Sequence, residues 1–173
     1  RRMRAALRIF DLVRIDHFRG FDTYWAIPAE AKTARAGKWE KGPGLEIFEA
    51  MEHAIGPLPV VAEDLGESSD SVRQLLADSR FPGMKVLQFA YSPDEAKQNG
   101  MVNSFMPHMF TTDNCVVYTG THDNDTLQGW LELISDEQLV LVAEYMTRSK
   151  LTVAAAKKLV ASGALRKLMI KTV

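Results

Sequence analysis

Asp16, Glu63 and Asp123 each stand just past a short apolar run, and carboxylates so placed can do chemistry together. The runs are Asp11–Asp16 (with Leu12, Val13 and Ile15), Leu58–Glu63 (with Val60 and Val61), and Cys115–Tyr118 with its continuation Thr119-Gly120-Thr121-His122-Asp123. A further run, Met84–Tyr91, carries Val86, Leu87 and Phe89. Apolar, β-branched runs of this length predict strands buried on both faces, as in a parallel sheet. On parallel strands the C-terminal ends converge on one face. Two carboxylates about 5–5.5 Å apart there can perform retaining glycosyl transfer, one attacking the anomeric carbon while the other protonates the leaving oxygen. The two roles need different proton affinities, so their surroundings must differ. Arg14, two residues before Asp16, shares its face of the strand and would hold it ionised.

Each residue also has a plain structural reading. An acidic residue ahead of a turn commonly caps it, Arg14 would serve as an ion-pair partner, and His122 as a loop histidine. Asp125-Thr126 reads equally well as a helix N-cap. Asp16, His17, His122 and Asp123 would also suit a metal-dependent hydrolase. Spacing alone leaves these alternatives open.

The elements that must position these groups alternate between strand and helix. Leu45, Phe48, Met51, Glu52 and Ile55 keep helical spacing after Gly42-Pro43-Gly44. Ser68–Asp70 can cap a helix bearing Val72, Leu75 and Leu76. Ser135 with Gln138 resembles a capping box ahead of Leu139, Val142, Ala143 and Met146. Lys150–Val173 reads as one or two further helices interrupted at Gly163. This alternation predicts an α/β layout with parallel strands, and acidic residues recurring at strand ends favour a (β/α) barrel over a doubly wound sheet.

The bulk properties fit that picture. Hydrophobic residues make up 46 % of the 173, a composition able to bury a core. A net charge of −1 with mixed signs gives no electrostatic reason to expect nucleic acid or an anionic membrane as partner. The single cysteine, Cys115, excludes an internal disulfide and reads as a small core residue rather than a nucleophile. No apolar run approaches the roughly 18 residues that would span a bilayer. Arg1–Phe10 reads as an amphipathic helix with Met3, Leu7 and Phe10 on one side, not as a signal peptide. A cytoplasmic location is the expectation.

The words around the carboxylates are more specific. Arg14-Ile15-Asp16-His17-Phe18-Arg19-Gly20-Phe21, Ala62-Glu63-Asp64-Leu65-Gly66 and Tyr118 through Thr126 resemble three segments of the 4-α-glucanotransferases (amylomaltases or disproportionating enzymes, glycoside hydrolase family 77). Tyr24–Ala29 through Gly37–Gly44, and Phe81–Ala90, are similar to two more. The resemblance runs from Arg1 to about Trp130, in order. It implies a retaining mechanism in a barrel related to the α-amylases. Asp16 then matches the nucleophile, Glu63 the general acid/base, and Asp123 the third carboxylate, which holds sugar hydroxyls. Arg14 matches the arginine beside the nucleophile, and His122 a histidine bonded to the sugar. His17, Trp39 and Asn124 become further candidate sugar contacts, Trp39 as a stacking platform. No metal or organic cofactor is implied; the implied partners are an α-1,4-glucan donor and a glucose or maltooligosaccharide acceptor.

The resemblance also implies a fragment. Residues 1–173 would be part of one catalytic (β/α)8 barrel, about strands four to seven with their helices, lacking its N- and C-terminal parts and inactive in isolation. At Met106-Pro107-His108-Met109-Phe110 the family usually has a Pro-His-Asn-Tyr-like run, so Met109 stands where a polar residue is expected. An α-glucan hydrolase and an inactive α-glucan-binding fragment are the competing functions.

Overall fold

In the computed structural model, which describes residues 1–66, 69–92 and 103–173, all four apolar runs form strands, three of them shorter than the runs themselves. β1 spans Val13–Ile15 and, further along the chain, β4 spans Val60–Ala62, β5 Gly83–Val86 and β6 Cys115–Tyr118. β1 and β4 pair in parallel, with Val13 opposite Val60, Arg14 opposite Val61 and Ile15 opposite Ala62. β5 and β6 pair with each other. The Gly83 N–H donates to the Asn114 carbonyl and the Leu87 N–H to that of Tyr118, rising together along both strands as in a parallel pair.

The expectation of parallel strands throughout needs one correction. β2 (Thr23–Ala26) and β3 (Lys38–Lys41) form an antiparallel pair, with Trp25 opposite Trp39. The two indoles meet edge to face, centroids 5.4 Å apart at 72°, an arrangement the aromatic quadrupole favours. Trp25 Nε1 donates to the Ala34 carbonyl at 2.8 Å. Gly37 makes room for this, since a Cβ there would lie 2.3 Å from that indole nitrogen.

The described residues form two compact units, Arg1–Met84 with Asn114–Val116, and Lys85–Asp113 with Val117–Val173. In the first, Phe18, Phe48, Leu58, Val60, Ala62, Leu75 and Phe81 make the core. Phe48 comes from α2 (Glu46–Ile55) and Leu75 from α3 (Asp70–Ser79), the two helices expected from spacing. Phe18 and Phe48 stack at 5.7 Å, and Phe81 meets Phe48 edge-on at 5.1 Å. Ser69 caps α3 by accepting the Val72 N–H, and Asp70 begins the helix; Ser68, also part of the expected cap, lies outside the described residues. The N-terminal helix is shorter than its pattern. α1 covers Arg2–Ala6 and then tightens into turns, Arg8 N–H to Ala5 O and Ile9 N–H to Ala6 O. Met3 still packs on the core, but Phe10 is exposed. Ile9 and Phe10, poor helix formers, precede the turn into β1.

The second unit is mainly helical: α4 (Leu127–Leu133), α5 (Asp136–Thr147), α6 (Val153–Ala161) and α7 (Ala164–Ile170). Leu131, Leu139, Val142, Ala156, Leu165 and Met169 are buried among them. Gly163, at a positive φ of 70°, makes the expected break between α6 and α7. Ser135 caps α5 through the Gln138 N–H, as the capping-box pattern predicts. The return half of the box is absent, because Gln138 Nε2 donates instead to the Tyr91 carbonyl at 2.8 Å. Ser135→Ala should therefore lower the protein's stability by about 1 kcal/mol, measured by urea denaturation. An unchanged midpoint would show that water replaces the cap. No helix among the described residues is long and apolar enough to cross a membrane.

Candidate active site

The parallel register sets the site of the first unit. Because Ile15 lies opposite Ala62, Asp16 and Glu63 are the next residues on adjacent strands. The backbone continues the pairing beyond both strands: the Glu63 N–H donates to Ile15 O at 2.9 Å, and the Phe18 N–H to Glu63 O at 3.0 Å. Arg14 Nη1 contacts Asp16 Oδ1 at 2.8 Å, as two residues on one strand face can. With side chains 31 % and 77 % exposed, the pair is partly solvent-screened and serves orientation more than stability.

Glu63 is more firmly held. Its Oε2 accepts the His17 N–H and its Oε1 the Leu65 N–H, each at 2.8 Å. His17 adopts a left-handed backbone (φ 48°, ψ 54°) to present that N–H, a conformation uncommon for a residue with a side chain. Its ring packs over Gly20, where a Cβ would come within 3.1 Å of His17 Cδ2. His17 is thus tied to Glu63 through its backbone, a role its side-chain type did not announce.

Asp16 and Glu63 line different hollows. A cavity of about 240 Å³ is walled by His17, Arg19, Trp39, Glu63, Asp64, Gly66 and Val72. Arg14, Ile15 and Asp16 line a wider, open hollow of about 1150 Å³ together with α1 and α2. Trp39 is 54 % exposed, so it is not a core tryptophan. The Arg19 guanidinium lies over its ring, 4.7 Å from the centroid. Next to it on β3, hydrogen bonds from Lys38 and then Tyr24 hold the Glu40 carboxyl below its ordinary range.

Asp123, His122 and Asn124 belong to the second unit, in the turn after β6. Asn124 Oδ1 accepts both the Thr121 N–H (2.8 Å) and the Thr121 hydroxyl (3.1 Å), so it shapes this turn. The Asp123 N–H reaches Thr121 Oγ1 at 3.3 Å. Asp123 and His122, 75 % and 74 % exposed, lie 3.4 Å apart from Oδ2 to Nε2. Thr126, not Asp125, caps α4 through the Gly129 N–H, while Asp125 Oδ1 accepts the Thr126 N–H.

Two supporting residues escaped the sequence reading. Gln88, 4 % exposed, donates from Nε2 to the Asp125 carbonyl, and Gly120 admits it, since a Cβ there would lie 2.6 Å from that nitrogen. Asp64 accepts the Met84 N–H at 2.7 Å. A buried glutamine amid an apolar run was the available signal for Gln88; nothing local marked Asp64. At the departure from the family pattern, Pro107–Met109 form a single helical turn, and His108 Nδ1 meets the Tyr145 hydroxyl at 2.9 Å. Tyr91 packs beside Tyr145, and burial, followed by Tyr145, pushes its phenol well above the ordinary range. Cys115 is half-buried in β6. No group of three or more metal-ligating side chains occurs among the described residues.

Comparison with known proteins agrees with the sequence words. A family model described as 4-alpha-glucanotransferase matches residues 1–172. The 4-alpha-glucanotransferase of Synechocystis sp. is 46 % identical over 147 residues, which cover 84 % of this chain and 28 % of that protein. The chloroplastic/amyloplastic 4-alpha-glucanotransferase of Solanum tuberosum is 44 % identical over 147 residues, 85 % of this chain and 24 % of its own. Among solved structures, amylomaltase from Streptococcus agalactiae in complex with acarbose superposes with a TM-score of 0.75 at 36 % identity, covering 86 % of this chain and 29 % of that one. The chain thus spans only 24–29 % of the length of these relatives.

Proposed function

The chain belongs to the 4-alpha-glucanotransferase family, and from that membership we propose that it carries the acid, base and nucleophile of an enzyme moving α-1,4-glucan segments between sugar chains. In this reading Asp16 attacks the anomeric carbon while Glu63 gives its proton to the departing glycosidic oxygen. A glycosyl ester on Asp16 results. Glu63, now a carboxylate, takes the proton of the acceptor's 4-hydroxyl as that oxygen attacks the same carbon and releases Asp16. Arg14 orients Asp16, and Asp123 and His122 bind sugar hydroxyls around the oxocarbenium-like transition state. Trp39, His17 and Asn124 are the further sugar contacts, Trp39 through the ring face opposite Arg19.

The observation that carries the reading is the parallel register of β1 and β4, with Asp16 and Glu63 following opposed residues. The chain order of the strands β1, β4, β5 and β6, with α2 between β1 and β4 and α3 between β4 and β5, supports a part of a (β/α)8 barrel, about strands four to seven. Residues 1–173 would then be one portion of a single catalytic domain. A cytoplasmic site of action belongs to the same proposal, although the Solanum tuberosum relative is named chloroplastic/amyloplastic.

Transfer and hydrolysis share these carboxylates and differ in whether a sugar hydroxyl or water attacks the ester. Incubating the complete protein with maltotriose should yield glucose together with oligomers longer than the substrate. Formation of shorter sugars alone would identify a hydrolase, and binding without products an inactive glucan-binding protein.

A further inference from the structure

Glu63 and Asp64 follow β4 directly, and their side chains bond to different neighbours. Glu63 reaches toward β1, where it accepts the His17 N–H. Asp64 reaches toward β5, where its Oδ1 accepts the Met84 N–H at 2.7 Å. The backbone bond from Ala62 N–H to Pro82 O, 2.9 Å, comes just before. Beyond it, the N–H that β5 offers is taken by a side chain rather than by a main-chain carbonyl. A carboxylate makes this bond stronger than a neutral acceptor would.

Gly83 fits the same arrangement. A Cβ at that position would lie 2.9 Å from Asp64 Oδ2 and 3.0 Å from Oδ1. The carboxylate therefore lies flat against the start of β5 in space that any other residue would occupy. Met84 and Gly83 are buried and Asp64 half-buried, so the bond is shielded on the β5 side.

We propose that Asp64 is a positioning residue for Glu63, fixing the peptide that follows β4 so that the Glu63 carboxyl stays aimed past His17 into the site. The proposal rests on the reading of Glu63 as the acid/base. Glu63 is held on the β1 side by its own oxygens and by the Phe18 N–H on its carbonyl, and on the β5 side by the Ala62 N–H to Pro82 O bond and the Asp64 carboxylate; without the Asp64 bond the segment just past β4 loses its last tie to β5 and can shift. A displacement of about 1 Å in a reacting group costs on the order of 100-fold in rate. That loss falls on proton transfer to the leaving group and spares steps that need none.

The test uses the complete enzyme and compares the first step for maltotriose with that for an α-glycosyl fluoride, whose leaving group needs no proton. Asp64→Ala should slow maltotriose by about 100-fold and the fluoride by less than about threefold, with the alkaline limb of the maltotriose pH profile, where the general acid loses its proton, altered. Asp64→Asn, which keeps an acceptor oxygen in place, should recover most of the maltotriose rate. Gly83→Ala, which displaces the carboxylate without removing it, should show the same leaving-group selectivity and keeps the test alive should Asp64→Ala not fold. Equal losses on both donors, or no rescue by Asn, would overturn the positioning role. If Glu63→Gln itself showed no leaving-group selectivity, the acid/base reading would fall, and the proposal with it; if Glu63→Gln is selective and Asp64→Ala and Gly83→Ala are not, only the proposal falls.

Discussion

Asp16→Asn should leave the fold intact and yet abolish the covalent glycosyl-enzyme, slowing the first step by on the order of 10⁴-fold or more. The change replaces one oxygen by an amide of the same size. Asparagine can still accept a hydrogen bond from Arg14 Nη1, which now lies 2.8 Å from Asp16 Oδ1. It cannot supply the electron pair that forms the ester, because the amide oxygen is a poor nucleophile and carries no charge to lose. The Asp16 side chain is 77 % exposed, so its lost charge should barely alter stability. A slow-turnover donor should label the parent enzyme at Asp16, read by mass spectrometry of the peptide that spans it, and label the variant nowhere. An adduct on any other residue would remove Asp16 from the nucleophile's role.

The strands were legible where the apolar run is short and β-branched, stopped directly by a carboxylate at Asp16 and at Glu63, so Val13, Val60 and Val116 mark their strands without help from the rest of the chain. The helices were legible where side-chain periodicity and a capping serine coincide, as at Ser135. The β2–β3 pair was not. Thr23–Ala26 and Lys38–Lys41 are brief, carry little alternation, and are held by contacts between residues far apart in sequence: Trp25 against Trp39, Trp25 Nε1 on Ala34 O, and a glycine at 37 that yields to an indole. The hydrogen bonds that hold the site residues escaped for the same reason. Asp64 bonds Met84, and Gln88 the Asp125 carbonyl, across twenty and thirty-seven positions respectively. His17 drew notice as a side chain, whereas its backbone N–H is what binds Glu63. Residue type announces chemistry; partners are set by the fold.

Glu63→Gln should stop transfer from maltotriose while sparing the first step from an α-glycosyl fluoride. General acid catalysis contributes about 10²–10⁴-fold, and fluoride departs without it. Glutamine carries no proton that it can give up, so a leaving alkoxide goes unprotonated and the barrier for maltotriose rises by about 3–5 kcal/mol, as 1.36 kcal/mol per tenfold requires. The second step should also slow, because no base takes the acceptor's proton. Once the fluoride has reacted, the ester should therefore accumulate. The local structure makes a second variant necessary. Both Glu63 oxygens accept backbone N–H groups, from His17 and Leu65; a glutamine can offer an oxygen to one, and its amide must face the other donor to donor. Glu63→Ala avoids that opposition and opens space beside the ester. Azide, a small anion that needs no deprotonation, should enter it and attack the anomeric carbon, giving a glycosyl azide of the same configuration as the donor. Azide acceleration of the Glu63→Ala enzyme, absent from the parent and from Asp16→Asn, would fix Glu63 as the acid/base. If maltotriose and the fluoride lost rate equally in the first step and azide changed nothing, the proton would have to come from another residue.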